Sequence, residues 1–278
     1  MRLGVTMFLT DRSMGPVALA RAAEERGLSS LYVPEHTHIP VSRRTPAPAG
    51  APLAEEYRRT LDPFVALTAA AVTTTRLRVG TGICLVAQRD PIVTAKEVAS
   101  LDLLSGGRFT FGVGFGWNVE EMQDHGTAPG ARRDVVRERV LAMQRLWADD
   151  EASFSGEHVQ LPPTWSWPKP VQQPWPPVLL GGAAGPILFD HIAEYGDGWI
   201  PIGGSGLARS ITDLRRVWAD AGRDPAALKV VPFGTLPEAG KLEHYRELGC
   251  TGCILQLPSG PADEVLPVLD GHARFLDG

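Results

Sequence analysis

The chain is short of cysteine, of long apolar runs and of any block of one charge, and each shortage excludes a class of protein. Its three cysteines, Cys84, Cys250 and Cys253, are odd in number and too few for a disulfide scaffold, which suits a reducing, cytoplasmic setting. Cys250 and Cys253 form a C-x-x-C pair, but no second pair and no histidines stand at zinc-ligand spacing, so no metal site is expected. The opening MRLGVTMFLT meets a charge at Asp11, too soon for a signal segment or a membrane span, and it reads as a first strand. Lysine and arginine number 27 against 32 aspartates and glutamates, giving a formal net charge of -5. With no basic block on any segment, the electrostatic footprint of a nucleic-acid binder is missing. Neither nucleic acid nor membrane is an expected partner; a small molecule is.

At 278 residues, with 44% hydrophobic and 21% charged residues, the chain can bury a sizeable core and fits the size of one α/β barrel domain spanning 1–278. Short β-branched runs alternate with longer amphipathic stretches, the pattern of a parallel sheet built from βαβ units. The strands read as 3–8, 31–34, 77–85, 109–114, 178–180, 198–201, 228–231 and 252–255. Their helices read as 14–26, 62–74, 92–104, 133–147, 186–195, 207–221, 238–248 and 262–276. Two stretches break the rhythm. Residues 40–60 form a loop whose prolines and small residues forbid regular structure, and 151–177 is a polar, proline-rich excursion with room for a small hairpin. Eight units with no long linker favour a (β/α)8 TIM barrel with an insertion after strand 4 over an open doubly wound sheet.

In such a barrel the chemistry sits where strands end, at the C-terminal face. Those ends carry Thr6-Met7-Phe8, Glu35-His36-Thr37-His38, Thr81-Gly82-Ile83, Gly114-Phe115-Gly116-Trp117-Asn118, Gly181-Gly182-Ala183, Trp199-Ile200-Pro201, Phe233-Gly234 and Gln256. Gly181, Gly182 and Ala183 close a strand and open a helix, so their backbone N–H groups suit an anion such as phosphate, although a plain turn needing positive φ explains them equally. Gly112-x-Gly114-x-Gly116 departs from the dinucleotide fingerprint, because its third glycine comes one residue early and no acid ends the next strand. Gly80-Thr81-Gly82 marks a bulge or a place where a flat ligand meets backbone. His36 and His38 lie two apart and face one way; one of them is a candidate proton donor or ring hydrogen-bonding group. Trp117 and Trp199, with Trp165, Trp167 and Trp175 from the excursion, offer aromatic walls, and the pairs Arg43-Arg44, Arg58-Arg59 and Arg132-Arg133 offer partners to an anionic tail.

Two long motifs carry a family resemblance. RDPIVTAKEVASLDLLSGGRFTFGVGFGWNVEEM, and later PPVLLGGAAGP with YGDGWIP, resemble the signatures of the bacterial luciferase-like monooxygenase superfamily, in the right order and over essentially the whole chain. GFGWNVEEM, HGT and WSWPKPVQ look most like its actinobacterial F420-dependent oxidoreductase branch. The resemblance implies a TIM barrel, often dimeric, that holds F420 or, alternatively, FMN. By motif position it puts a non-proline cis peptide at Gly82-Ile83 behind the cofactor ring, alongside Thr81. It sets the phosphate on Gly181, Gly182 and Ala183, and Gly114, Gly116, Trp117 and Asn118 near the linker. Pro34-Glu35-His36 falls where some F420-using dehydrogenases carry an acidic-His pair, which makes His36 the catalytic candidate. Trp117 stands where sugar-phosphate dehydrogenases of the superfamily have a glutamate, so their substrate and proton relay do not carry over. The activity implied is hydride transfer to or from a small organic substrate; the alternatives are an FMN-dependent monooxygenase and a non-catalytic flavin-binding barrel.

Overall fold

Two helix starts in this chain are written by Asp-Pro pairs. Asp62 and Asp90 each cap a helix by accepting backbone N–H bonds, from Val65 in one case and from Ile92 and Val93 in the other, while Pro63 and Pro91 fill the first turn. An aspartate cap satisfies donors that have no helical partner, and proline's missing N–H costs nothing there. A computed structural model describes residues 1–48, 50, 52–203 and 206–276. In order the elements are β1 Arg2–Thr6, α1 Pro16–Glu25, β2 Ser30–Val33, α2 Pro63–Val72, β3 Arg78–Thr81, β4 Cys84–Leu85, α3 Pro91–Ser105, β5 Phe109–Gly114 and α4 Val119–Asp124. There follow α5 Arg132–Ala148, β6 Ala152–Ser155, β7 Gln160–Thr164, β8 Val178–Gly181, α6 Pro186–Tyr195, β9 Gly198–Ile200 and α7 Leu207–Asp220. The last are β10 Lys229–Val230, β11 Phe233–Thr235, α8 Ala239–Glu247, β12 Gly252–Gln256 and α9 Ala262–Ala273.

The strands other than β6 and β7 form one parallel sheet, ordered β10-β9-β8-β5-β3-β2-β1-β12-β11, with β4 beside β5. The sheet curls until its two edge strands lie in one segment, 229–235. Hydrogen bonds reach that segment from both flanks: Val231 N–H to the Trp199 carbonyl (2.9 Å), Phe233 N–H to the Pro201 carbonyl (2.9 Å), and Ile254 N–H to the Pro232 carbonyl (2.8 Å). Pro232 has no N–H for the ladder, so the strand expected at 228–231 is longer and split in two. The strand expected at 77–85 is also split, at the cis peptide Gly82–Ile83. Between 151 and 177 the antiparallel hairpin β6–β7 forms, as the excursion allowed. The short helix α4 is an addition to the pattern expected from sequence.

Strand alternation sorts side chains into two apolar groups. Outward residues such as Val5, Leu31, Val79, Phe109, Phe111 and Leu255 meet the helices, and inward Tyr32, Leu179, Ile200, Val231, Phe233 and Ile254 fill the middle of the curl. Glycine at inward positions makes room for the large rings: a Cβ on Gly80 would lie 2.4 Å from the Tyr32 ring. Burial of the outward set of large apolar side chains, at about 1.5–3 kcal/mol each, is the main source of fold stability. Among the described residues no helix is long and apolar enough to cross a membrane.

Candidate active site at the C-terminal mouth of the sheet

Beyond Val33 the chain leaves the sheet and its next residues part company. Glu35 turns into the protein, where its side chain is 1% exposed; it accepts the Leu85 N–H (2.7 Å) and pairs with Arg89 at 2.6 Å. Arg89 also reaches Asp62 (2.7 Å) and Glu97 (2.9 Å) and lies over the Phe64 ring. Burial pushes the Arg89 guanidinium toward neutrality, but the Glu35 charge outweighs it and holds the proton more firmly than usual. Through Leu85 and Arg89 the Glu35 carboxylate ties the end of β2 to β4 and to the segment that follows it.

His36 faces the other way. Its Nδ1 lies 2.8 Å from Oε2 of Glu121, a carboxylate with no exposure, whose other oxygen accepts the Thr37 N–H at 3.2 Å. The indole Nε1–H of Trp117 points at His36 Nε2, 3.3 Å away. An indole N–H only donates, so Nε2 accepts and the ring proton sits on Nδ1, donated to Glu121. The result is an imidazole with a carboxylate on one nitrogen and the Trp117 indole on the other, the orienting logic of a catalytic acid–base dyad. Tyr57 lies beside it, tilted against His36 with ring centres 5.3 Å apart and edge-on to Trp117 at 6.0 Å. The loop above is pinned to α4: the Thr45 hydroxyl and the Arg44 N–H hold the Glu120 carboxyl down at about 2.

The floor is one side chain, Ile83. A Cβ on Gly114 would sit 1.7 Å from its Cδ1 and one on Gly181 would sit 3.0 Å from its Cγ2, so both glycines exist to let Ile83 lie flat across the centre. Gly116 turns with φ of 78°. Next to it Asn118 is fully buried, yet among the described residues neither its amide oxygen nor its nitrogen has a partner, nor does the amide of the buried Gln88. On the far rim Gly182 and Ala183 precede the N-terminus of α6; a Cβ on Gly182 would lie 3.9 Å from the Phe115 ring, and Arg133 stacks on Phe115 at 4.6 Å. Nη1 of Arg133 is buried and has no partner among the described residues. Free helical N–H groups and an unsatisfied guanidinium together favour an anion there.

Several expectations need correction. Glu35 is not the acid beside His36; adjacent residues of an extended chain point to opposite sides, and the acid comes from α4 instead. His36 and His38 do face one way, toward Glu121 and Asp124 of α4, but His38 is exposed. Trp199 lies in the core and gives its N–H to the Gly182 carbonyl, so it supports the rim without lining it. Trp165, Trp167 and Trp175 stay away from the mouth: the first two are exposed, and the excursion is strapped to the outer helices by Lys96, by Lys169 on the end of α5, and by Gln172 on Asp102. Arg58 and Arg59 are taken up by Glu55 and Asp11. Glu121 is the candidate site residue that sequence reasoning misses. The available signal is Asn118 followed three residues later by Glu, a capping-box spacing that announces a helix start, although here the carboxylate turns to His36 and leaves the cap.

Comparison with known proteins identifies the family. The family model for luciferase-like monooxygenases matches residues 15–239. An uncharacterized protein of Mycobacterium tuberculosis is 44% identical over 280 residues, covering 99% of each chain. The F420-dependent hydroxymycolic acid dehydrogenase of the same organism is 28% identical over 80% of this chain and 57% of its own. Among solved structures, a monooxygenase from Streptomyces bottropensis superposes with a TM-score of 0.79 at 21% identity, over 99% of this chain and 98% of its own. An F420-dependent secondary alcohol dehydrogenase superposes with a TM-score of 0.79 at 19% identity, over 100% and 99%. The likenesses to solved structures carry the α/β fold; the family match, over most of the chain, means that the protein belongs to the luciferase-like monooxygenases, a family of oxidoreductases.

Proposed function

We propose that the protein is an oxidoreductase that holds F420 across the mouth and moves a hydride between it and a small organic substrate. The observation that carries this reading is the Glu121–His36 dyad, whose Nε2 accepts the Trp117 indole N–H. The residues suit such a cofactor. Ile83, behind Thr81 and Gly82, offers a flat apolar floor, the Asn118 amide is buried with unused hydrogen-bonding capacity beside Gly114, Gly116 and Trp117, and Arg133 with Gly181, Gly182 and Ala183 offers an anion cradle. When bound, the deazaflavin supplies the hydride acceptor or donor.

The protein supplies the proton chemistry. An alcohol–carbonyl pair is the substrate class that fits, because oxidising an alcohol releases a hydride from carbon and a proton from oxygen, and the carbonyl forms from what remains. A substrate hydroxyl that displaces the Trp117 indole meets Nε2 of His36, which takes the proton, while Glu121 stabilises the resulting imidazolium. Tyr57 and Trp117 restrict water around that nitrogen. We read the sheet as a closed (β/α)8 barrel with 151–177 inserted after its fourth strand; the bonds reaching 229–235 from both flanks support this. We also propose a homodimer through α2 and α3, whose outer surfaces expose Val65, Val72, Ile92, Val93, Leu103 and Leu104.

Titrating the protein with F420 and with FMN, followed by turnover of small secondary alcohols, tests the proposal. F420 is expected to bind more tightly. His36→Ala is expected to lower kcat by about 10²–10⁴ with cofactor affinity unchanged, the range for losing a general base. Tighter binding of FMN together with oxygen uptake would refute F420 hydride transfer and point to the FMN-dependent monooxygenase reading. Light scattering on the purified protein, with Leu104→Glu as control, tests the dimer.

A further inference from the structure

The opposite pole of the sheet holds a cavity of about 580 Å³ that the chemistry at the mouth does not use. Its ceiling is the underside of the inward apolar group, Leu179, Val231 and Ile254, and its walls are the first inward residues of the strands. Barrel poles of this kind ordinarily serve stability, and their inward layers are usually filled by branched apolar side chains. Here the layer is cationic. Arg2 of β1, Arg78 of β3 and Lys229 of β10 line the cavity, and no aspartate or glutamate does. Among the described residues none of the three cations takes part in an ion pair.

The acid that acts on Arg78, Asp102, is already committed. Asp102 accepts the backbone N–H of Gln172 (2.9 Å) and its side-chain amide (2.7 Å). Arg78 has only neutral acceptors at its Nη2, the Gln172 amide oxygen at 3.2 Å, the Phe109 carbonyl at 3.4 Å and the Thr110 hydroxyl at 3.5 Å. Burial makes the Arg78 charge costly, and the Arg2 charge adds to that cost, with only partial relief from Tyr32 and Asp102. Ser30, 6% exposed, presents a hydroxyl to the same space, and that hydroxyl has no partner among the described residues. Like charges lining one cavity, with Arg2 at its exposed rim, beside an unused hydroxyl form an arrangement that an anion stabilises.

We propose that this pole is a second ligand site, which takes a small phosphorylated anion between Arg2, Arg78 and Lys229, with Ser30 as a further donor. Three cations from separate strands call for at least two negative charges on one compact group, which phosphate and pyrophosphate carry. The apolar ceiling leaves room for a small body attached to the phosphate.

Calorimetric titration of the full chain with pyrophosphate, at low ionic strength and in phosphate-free buffer, tests this. The variants are Lys229→Met and Arg2→Met, which spare the hydrogen bonds of Arg78, and Gly182→Asp, which disables the anion cradle at the mouth. The wild type is expected to bind one pyrophosphate per chain at this pole, apart from any that the cradle at the mouth takes. Lys229→Met and Arg2→Met should each weaken it tenfold or more, and Gly182→Asp should leave it unchanged. No binding by the wild type would overturn the proposal. So would loss of binding in Gly182→Asp with retention in Lys229→Met, which would assign the anion to the mouth. Citrate binding as tightly as pyrophosphate would overturn the phosphate class.

Discussion

Replacing Glu35 with alanine removes the carboxylate that joins β2 to β4, and its cost can be worked from the contacts. The Arg89 side chain is 12% exposed and Glu35 1%, so the pair is buried, whereas Asp62 at 43% and Glu97 at 30% are the solvated members of the cluster. Without Glu35, Arg89 keeps only those two outer partners and the Leu85 N–H loses its acceptor. Breaking one side of a buried ion pair costs about 3–5 kcal/mol, because an uncompensated charge remains. At about 2 °C of melting temperature per kcal/mol for a chain of this size, the loss is about 6–10 °C. Asp62→Ala supplies the contrast: it removes a helix cap, worth about 1 kcal/mol, and a half-exposed ion pair worth about 0–1 kcal/mol. Its melting temperature should fall by only about 2–4 °C. Scanning calorimetry on both variants and on Glu35→Leu/Arg89→Met decides the matter, with the double variant expected to recover part of the loss. If Glu35→Ala melts within about 2 °C of Asp62→Ala, the ion pair does not hold the mouth together and the reasoning fails.

Three further outcomes are expected. Gly114→Ala forces a methyl against Ile83 Cδ1, and should cost about 1–3 kcal/mol in urea unfolding while also weakening cofactor binding, since the floor must tilt. Burial raises the Glu138 carboxyl, but the N–H groups of His158, Glu157 and Val159 outweigh it and leave the pKa lowered in the folded protein. Its stabilisation is thus complete above the unfolded value of about 4.3 and is lost as pH falls through the lower folded one, so proteolysis at the β6–β7 turn should increase under acid conditions and Glu138→Gln should flatten that dependence. Burial pushes the Cys250 and Cys253 thiols up to about 11 and Cys84 well above its ordinary value, so a thiol reagent at pH 8 should label none of the three until denaturant is added.

What could be read along the chain was whatever depends on near neighbours. The order of strands and helices followed from period and punctuation, because Asp62-Pro63 and Asp90-Pro91 start helices by local geometry and β-branched runs pair whatever lies across from them. The two long motifs were enough to place the family. The glycines of the mouth stood out by composition, and Gly82-Ile83 carries the cis bond where the resemblance put it.

The partnerships were a different matter, since they join residues far apart in sequence. Glu121 meets His36 across 85 positions and Glu35 meets Arg89 across 54, and nothing local distinguishes the carboxylate that faces the mouth from the one that faces the core. The tryptophans mislead for the same reason: composition counts aromatic surface, but only packing decides that Trp117 lines the mouth, Trp199 props the rim and Trp167 lies outside on the helices. The cationic pole is the extreme case. Arg2, Arg78 and Lys229 are isolated residues at the starts of three strands, and they become one site only because a curled parallel sheet brings every strand start to one end with the same face inward.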